Sequence, residues 1–191
     1  MSIPISTIGH STRPVEEFIR ILTDHGIQEL IDIRTIPRSR HNPQFNRENL
    51  PSSLASAGIS YRHMPGLGGL RRPRADSINT GWRNASFRGF ADYMQTLEFK
   101  SNLEGLIERG TGVRVAIMCA EAVPWRCHRS LISDALAARG IPVGEIFGAA
   151  EARPHTLTSF AKIDGTAQVT YPGSGCVDNS QLKFDDLQGL S

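Results

Sequence analysis

The stretch Cys119-Ala-Glu-Ala-Val-Pro-Trp-Arg-Cys-His-Arg129 puts two thiols, an imidazole, a carboxylate and two guanidinium groups into eleven residues. That set suits nucleophilic chemistry. A thiol beside cationic groups and a helix start ionises readily, and the thiolate is the attacking form. Cys119 is the expected nucleophile, with Glu121 or His10 handling protons. Arg126, Cys127, His128 and Arg129 are expected around the substrate. Gly9-His-Ser-Thr-Arg13 adds His10 and Ser11 to the candidates. Asp32-Ile-Arg34, with the loop through Arg40, adds Arg34, Arg38 and Arg40, and Asp32 reads as an ion-pair partner of Arg34 rather than a catalytic acid. Three other readings stay open: the cysteines as buried packing residues, as a reversible disulfide, or as zinc ligands with His128 and His10. Their spacing matches no standard finger or ribbon, so no metal and no cofactor is predicted.

These segments are candidates because of where the elements put them. Ile3 to Ile8, Ile27 to Ile33, Ile59 to His63, Val113 to Met118 and Ile141 to Phe147 read as strands. Helices are expected near Val15 to Leu22, over Glu48 to Ala57, over Phe87 to Phe99 with Leu103 to Arg109, and over His128 to Arg139. Three junctions, Gly26-Ile27, Gly58-Ile59 and Gly140-Ile141, share one form: glycine ends a helix in the left-handed conformation and a β-branched residue opens the next strand. Strands alternating with helices predict the α/β class, a single three-layer domain. Its mostly parallel sheet has about five strands, with helices on both faces. The domain is expected over 1–172, with a possible short strand near Gln168 to Tyr171 and a polar C-terminal tail over 173–191. Ligands in such sheets bind beyond the carboxyl ends of the strands. The three reactive segments lie there.

From Arg34 to Arg88 there are ten arginines and two acids, Glu48 and Asp76, whereas the whole chain carries a net charge of only +2. Arginine's planar fork binds phosphate or carboxylate through two bonds, so an anionic small molecule or a nucleic acid is the expected partner. Residues Met64 to Ser86 have no helical or alternating period, and a loop of that length is functional or disordered. No apolar run approaches the roughly 20 residues of a membrane span, the amino terminus lacks the features of a secretory signal, and three cysteines suit a reducing compartment. A cytoplasmic protein without membrane contact is expected.

Taken together, Ile8-Gly-His-Ser-Thr12, Leu30-Ile-Asp-Ile-Arg34 with Pro37-Arg-Ser-Arg40, Gly66-Leu-Gly-Gly69, and Cys119-Ala-Glu followed by Arg126-Cys-His-Arg129 resemble the domain-of-unknown-function 488 family over roughly residues 3 to 172. The resemblance implies an α/β domain with these segments as its signature, and no settled activity. A weaker likeness is to rhodanese-type and cysteine-phosphatase domains, from which the chain departs by the six residues between Cys119 and Arg126 and by the missing loop glycine. Two functions follow as expectations: a thiol-dependent transferase or hydrolase acting on an anionic substrate, or a non-catalytic nucleic-acid-binding or regulatory module using the arginine-rich segment 34–88.

Overall fold

The computed structural model describes residues 5–173. The short apolar segments pair into a six-stranded sheet in the order β3-β2-β4-β1-β5-β6. Its strands are β1 (Ile5–Gly9), β2 (Glu29–Asp32), β3 (Ser60–His63), β4 (Val115–Cys119), β5 (Val143–Ile146) and β6 (Arg153–Pro154). The first five are parallel, and β6 is a two-residue antiparallel edge on β5. That edge strand takes the count one beyond the expected five. β4 is buried at every position, as a central strand covered on both faces must be.

Two apolar cores sort the helices by face. On one face α1 (Val15–Asp24) and α2 (Leu50–Ala55) bury Phe18, Leu22, Leu50 and Leu54 against Ile8, Leu30 and Met118. On the other, α3 (Ala85–Tyr93), α4 (Leu97–Gly110) and α5 (Arg129–Ala137) bury Phe90, Leu103, Leu131 and Ile132 against Ile31, Val115 and Ile117. The glycines at the three helix-to-strand junctions take φ of +66°, +72° and +72°, the region where a side chain is strained. The expected break between the third and fourth helices moves to Met94–Thr96. There α3 ends at Tyr93, and the Thr96 hydroxyl accepts from the Phe99 N–H at 3.2 Å, capping α4.

The aperiodic segment after β3 is ordered by polar anchors. Asp92 on α3 accepts from the Arg74 N–H (2.8 Å), the Ser77 hydroxyl (2.6 Å) and the Asn79 amide (2.8 Å). The Arg71 guanidinium lies 3.6 Å over the Tyr93 ring. The last described segment, which includes a small hairpin of β7 (Lys162–Ile163) and β8 (Val169–Thr170), is tied to α5 through fully buried Asp134. That carboxylate accepts from His155 Nε2 (2.8 Å), the Thr158 N–H (3.0 Å) and the Tyr171 hydroxyl (2.8 Å). The tail expected over 173–191 lies, beyond Gly173, outside the described residues. Among the described residues no helix is long and apolar enough to cross a membrane.

His155 donates from both ring nitrogens, to Asp134 and to Glu145 (2.8 Å each), and two acceptors require an imidazolium. Burial opposes the charge, but the hydrogen bonds to the two carboxylates outweigh it and raise the pKa from 6.5 to about 9. The stabilisation is therefore complete below pH 6.5 and lost as pH rises through about 9. The unfolding free energy from urea titrations should fall over that window by on the order of 3 kcal/mol, and His155→Gln should flatten the slope. A wild-type profile that is flat over the window would contradict the assignment.

Candidate active site

Two neighbouring parallel strands, β1 and β4, end side by side with Gly9 opposite Cys119. The chain leaving β1 turns to α1 on one face, and the chain leaving β4 turns to α5 on the other. The crevice between diverging connections is where open α/β sheets place ligands. A pocket of about 570 Å³ opens there, lined by residues that include His10, Ser11, Arg34, Arg38, Cys119, Glu121, Gly69 and His128. That volume is typical of a small-molecule site.

Close approach of backbones shapes the wall. A Cβ on Gly9 would overlap the Glu121 carbonyl oxygen and come within 2.9 Å of Arg129 Nη1, so only glycine lets the β4 loop cross β1 here. The loop is held by Arg129, which is 1% exposed and donates to the Glu121 carbonyl (2.6 Å) and the Ala122 carbonyl (3.0 Å). Arg129 was expected to bind substrate, but it positions the loop instead. Its guanidinium is turned inward because α5 is buried from Arg129 through Leu136 and offers no solvent face.

Asp32 and Arg34 form the second wall. Arg34 donates from Nε to Asp32 Oδ1 (2.9 Å) and from Nη2 to Asp32 Oδ2 (2.6 Å) and the Phe45 carbonyl (2.6 Å). Its Nη1 donates to His10 Nε2 (3.2 Å). These bonds use four of the five guanidinium N–H groups, and the remaining one is on Nη1, at the pocket. The fixed loop expected from this ion pair is what forms. Its partner Tyr61 donates to Asp32 Oδ2 at 2.7 Å, and burial pushes the phenol pKa up.

His10 was expected to move protons. It is 2% exposed and stacked on Phe45 at 4.2 Å between ring centroids. Its Nδ1 lies 2.7 Å from the Ser11 carbonyl, an acceptor only, so Nδ1 carries the hydrogen and Nε2 accepts from Arg34. Burial, with Arg34 adding to it, lowers the pKa to about 4. Both ring nitrogens are engaged, so His10 bridges Arg34 and the β1 turn. Ser11, with φ of +52°, turns the chain beside it.

The thiols meet a different imidazole. Cys119 Sγ, Cys127 Sγ and a ring nitrogen of His128 lie within 4.8 Å of one another, with Cys127 Sγ 3.7 Å from His128 Nδ1. The other ring nitrogen, Nε2, is 3.1 Å from the Leu67 carbonyl and must donate to it, which leaves Nδ1 facing the sulfurs as a proton acceptor. Cys119 lines the pocket. Cys127, expected at the substrate, is 3% exposed and sits behind it. The Cys127 thiol donating to Cys119, with His128 beside it and the Glu121 N–H donating as well, holds the Cys119 pKa well below the usual thiol range despite burial. Cys127, sharing its proton with that sulfur and buried, is pushed up. The proton-accepting role of His128 was missed because the sequence does not say which ring nitrogen a distant carbonyl will occupy. A metal would find three donors in this cluster. The fourth donor expected, His10, has both nitrogens engaged.

The family described as "Domain of unknown function DUF488" matches residues 14–136. The chain belongs to this family. The match covers close to two thirds of the 191 residues, from the start of α1 into α5, and so contains the Arg34, Cys119 and His128 segments of the DUF488 chain but not its His10. Comparisons with curated proteins and with solved structures gave no match.

Besides Cys127 and Arg129, two further expected substrate ligands of this DUF488 protein fall outside the pocket lining. Arg40 and Arg126 are exposed and line no part of it. Arg38 lines it, with its guanidinium 3.1 Å from Glu48 on the surface. Trp125 is 65% exposed. The Gly66-Leu-Gly-Gly69 loop entered the sequence reading only through the family resemblance, with no site role given to Gly69. A Cβ there would overlap His128 Nδ1 and lie 2.7 Å from its Cγ, so the glycine is what lets the imidazole face the thiols. Gly69→Ala should displace the ring and slow alkylation of Cys119 at neutral pH by up to about a hundredfold with little change in the unfolding midpoint. An unchanged alkylation rate would show that the ring position does not matter.

Proposed function

We propose that the protein is an enzyme that uses the Cys119 thiolate as a nucleophile on an anionic small molecule bound at the carboxyl ends of β1, β2 and β4. The observation that carries this reading is the meeting of Cys119, Cys127 and a ring nitrogen of His128 within 4.8 Å, with Cys119 and His128 on the pocket wall and Cys127 behind them. A nucleophile, a base beside it and a third group fixing the base make up the arrangement covalent catalysis uses. Here the third group is the Leu67 carbonyl. His128 Nδ1 faces the sulfurs and takes the Cys119 proton as sulfur attacks. Sulfur attacks an electrophilic centre, and the leaving group departs with that proton. Transfer of the bound group to water or to a second acceptor then regenerates the thiol, which makes the reaction class transferase or hydrolase.

The preference for an anion rests on the unused Nη1 N–H of Arg34 and on Arg38 at the mouth, tempered by Glu121 on the opposite lip. A nucleic-acid module built on the arginine-rich segment gains less from the same structure. Outside the pocket Arg62 and Arg74 are paired with acids, which takes part of the charge from any phosphate track.

Paired alkylation rates test the reading. Iodoacetate, which is anionic, should modify Cys119 faster than neutral iodoacetamide, reversing the order of a free thiol, and inorganic phosphate should protect. Equal inertness to both reagents in the folded protein would end the nucleophile reading. Faster reaction with iodoacetamide, without phosphate protection, would end the anion preference.

A further inference from the structure

Beyond one nucleophile, the site holds a second sulfur that the reaction above does not use. Cys127 is not on the pocket wall, yet its Sγ is within 4.8 Å of Cys119 Sγ and 3.7 Å from the same His128 nitrogen. The two thiols come from different elements. Cys119 ends a central strand fixed by pairing on both sides, whereas Cys127 closes a three-residue turn, Pro124–Arg126, between the loop and α5. One sulfur is rigid and open to substrate. The other is sheltered, and a side-chain rotation on the turn can close the gap to a sulfur–sulfur bond of about 2.05 Å.

We propose that the pair is a dithiol that reduces the disulfide of an anionic small thiol, with Cys119 attacking and Cys127 resolving. This rests on the nucleophile reading and names its substrate class. Cys119 thiolate attacks one sulfur of the substrate disulfide. That S–S bond breaks, and the departing thiolate takes the proton held on His128, leaving a mixed disulfide on Cys119. Cys127 gives its proton to His128 and attacks the Cys119 sulfur, and the second thiol leaves with that proton. Two protein thiols are oxidised to one intramolecular disulfide and one substrate disulfide is reduced to two thiols, so atoms, protons and electrons balance. Position sets the order of attack: Cys119 lines the pocket and meets the substrate first, whereas Cys127 lies behind it and can reach only the Cys119 sulfur. The pocket of about 570 Å³ leaves room for an organic substituent carrying carboxylates toward Arg34 and Arg38.

The test uses the full chain with Cys176→Ser, which leaves only Cys119 and Cys127 as thiols. Oxidised glutathione is the anionic probe and hydroxyethyl disulfide the neutral one. Intact mass should show the loss of two hydrogens, reversed by dithiothreitol, and faster with the anionic probe. Cys127→Ser should instead accumulate one glutathionyl group on Cys119. A protein whose Cys119 alkylates readily but which forms neither species overturns the dithiol proposal and leaves the nucleophile reading standing. A Cys119 inert to disulfides and alkylating agents alike overturns both. Mixed disulfide that accumulates equally in wild type and Cys127→Ser would remove Cys127 as the resolving thiol.

Discussion

Asp32→Ala should cost the protein about 3–5 kcal/mol of stability, the range for removing one partner of a buried ion pair. Asp32 is fully buried and accepts from the Arg34 backbone N–H (3.0 Å), from Arg34 Nε and Nη2, and from the Tyr61 hydroxyl. Truncation leaves a guanidinium that is 6% exposed without its counter-charge and a phenol without its acceptor. For a chain of this length the thermal midpoint should drop by roughly 10 °C. The Asp32→Ala, Arg34→Met double variant should recover part of the loss, because no unpaired charge remains inside. A single variant within about 1 kcal/mol of wild type would mean that the pair behaves like a surface ion pair and does not hold the pocket wall.

His128→Ala has the larger consequence for chemistry. The imidazole is the group positioned to take the Cys119 proton, through the Nδ1 that the Leu67 carbonyl turns toward the sulfurs. Without it Cys119 keeps the Cys127 hydrogen bond and the Glu121 N–H but loses its charge partner. Alkylation at neutral pH should slow by roughly tenfold to a hundredfold, about tenfold for each unit by which the thiol pKa rises. The rate should return to that of wild type at high pH, where any thiol is ionised. That recovery separates a proton-accepting role from a collapsed pocket, in which the rate would stay low at every pH. The cavity left against Phe90, whose ring lies 4.9 Å from the imidazole, makes the folding midpoint a necessary control.

The sheet could be read from the chain because each glycine-isoleucine junction marks a helix end and a strand start, and because Val-Ala-Ile-Met-Cys is apolar at every residue, as a strand covered on both faces requires. The strand-end rule then located the His10, Arg34 and Cys119 turns without using residue chemistry. Arg129 was less accessible. Its substrate role was inferred from its charge, and the sequence after it misleads: Ser130, Ser133 and Asp134 fall at helical spacing and read as a solvent face, yet all three are buried, so the guanidinium at that helix start finds carbonyls inside. His10 and His128 could not be told apart by type. Their roles depend on which carbonyl each ring meets, Ser11 for one and Leu67 for the other, and the second contact spans 61 residues. β6 is two residues long and carries no alternating pattern at all.

The central claim is that Cys119 is held as a thiolate in an accessible pocket by Cys127 and His128. The pH dependence of iodoacetamide modification, with the site identified by peptide mass, tests it directly. The account predicts that in the Cys176→Ser protein Cys119 reacts in the native state, with a midpoint well below the 9.0 of an ordinary thiol, and that Cys127 reacts only on unfolding. A Cys119 midpoint at or above that ordinary value, or modification of Cys127 ahead of Cys119, would contradict it.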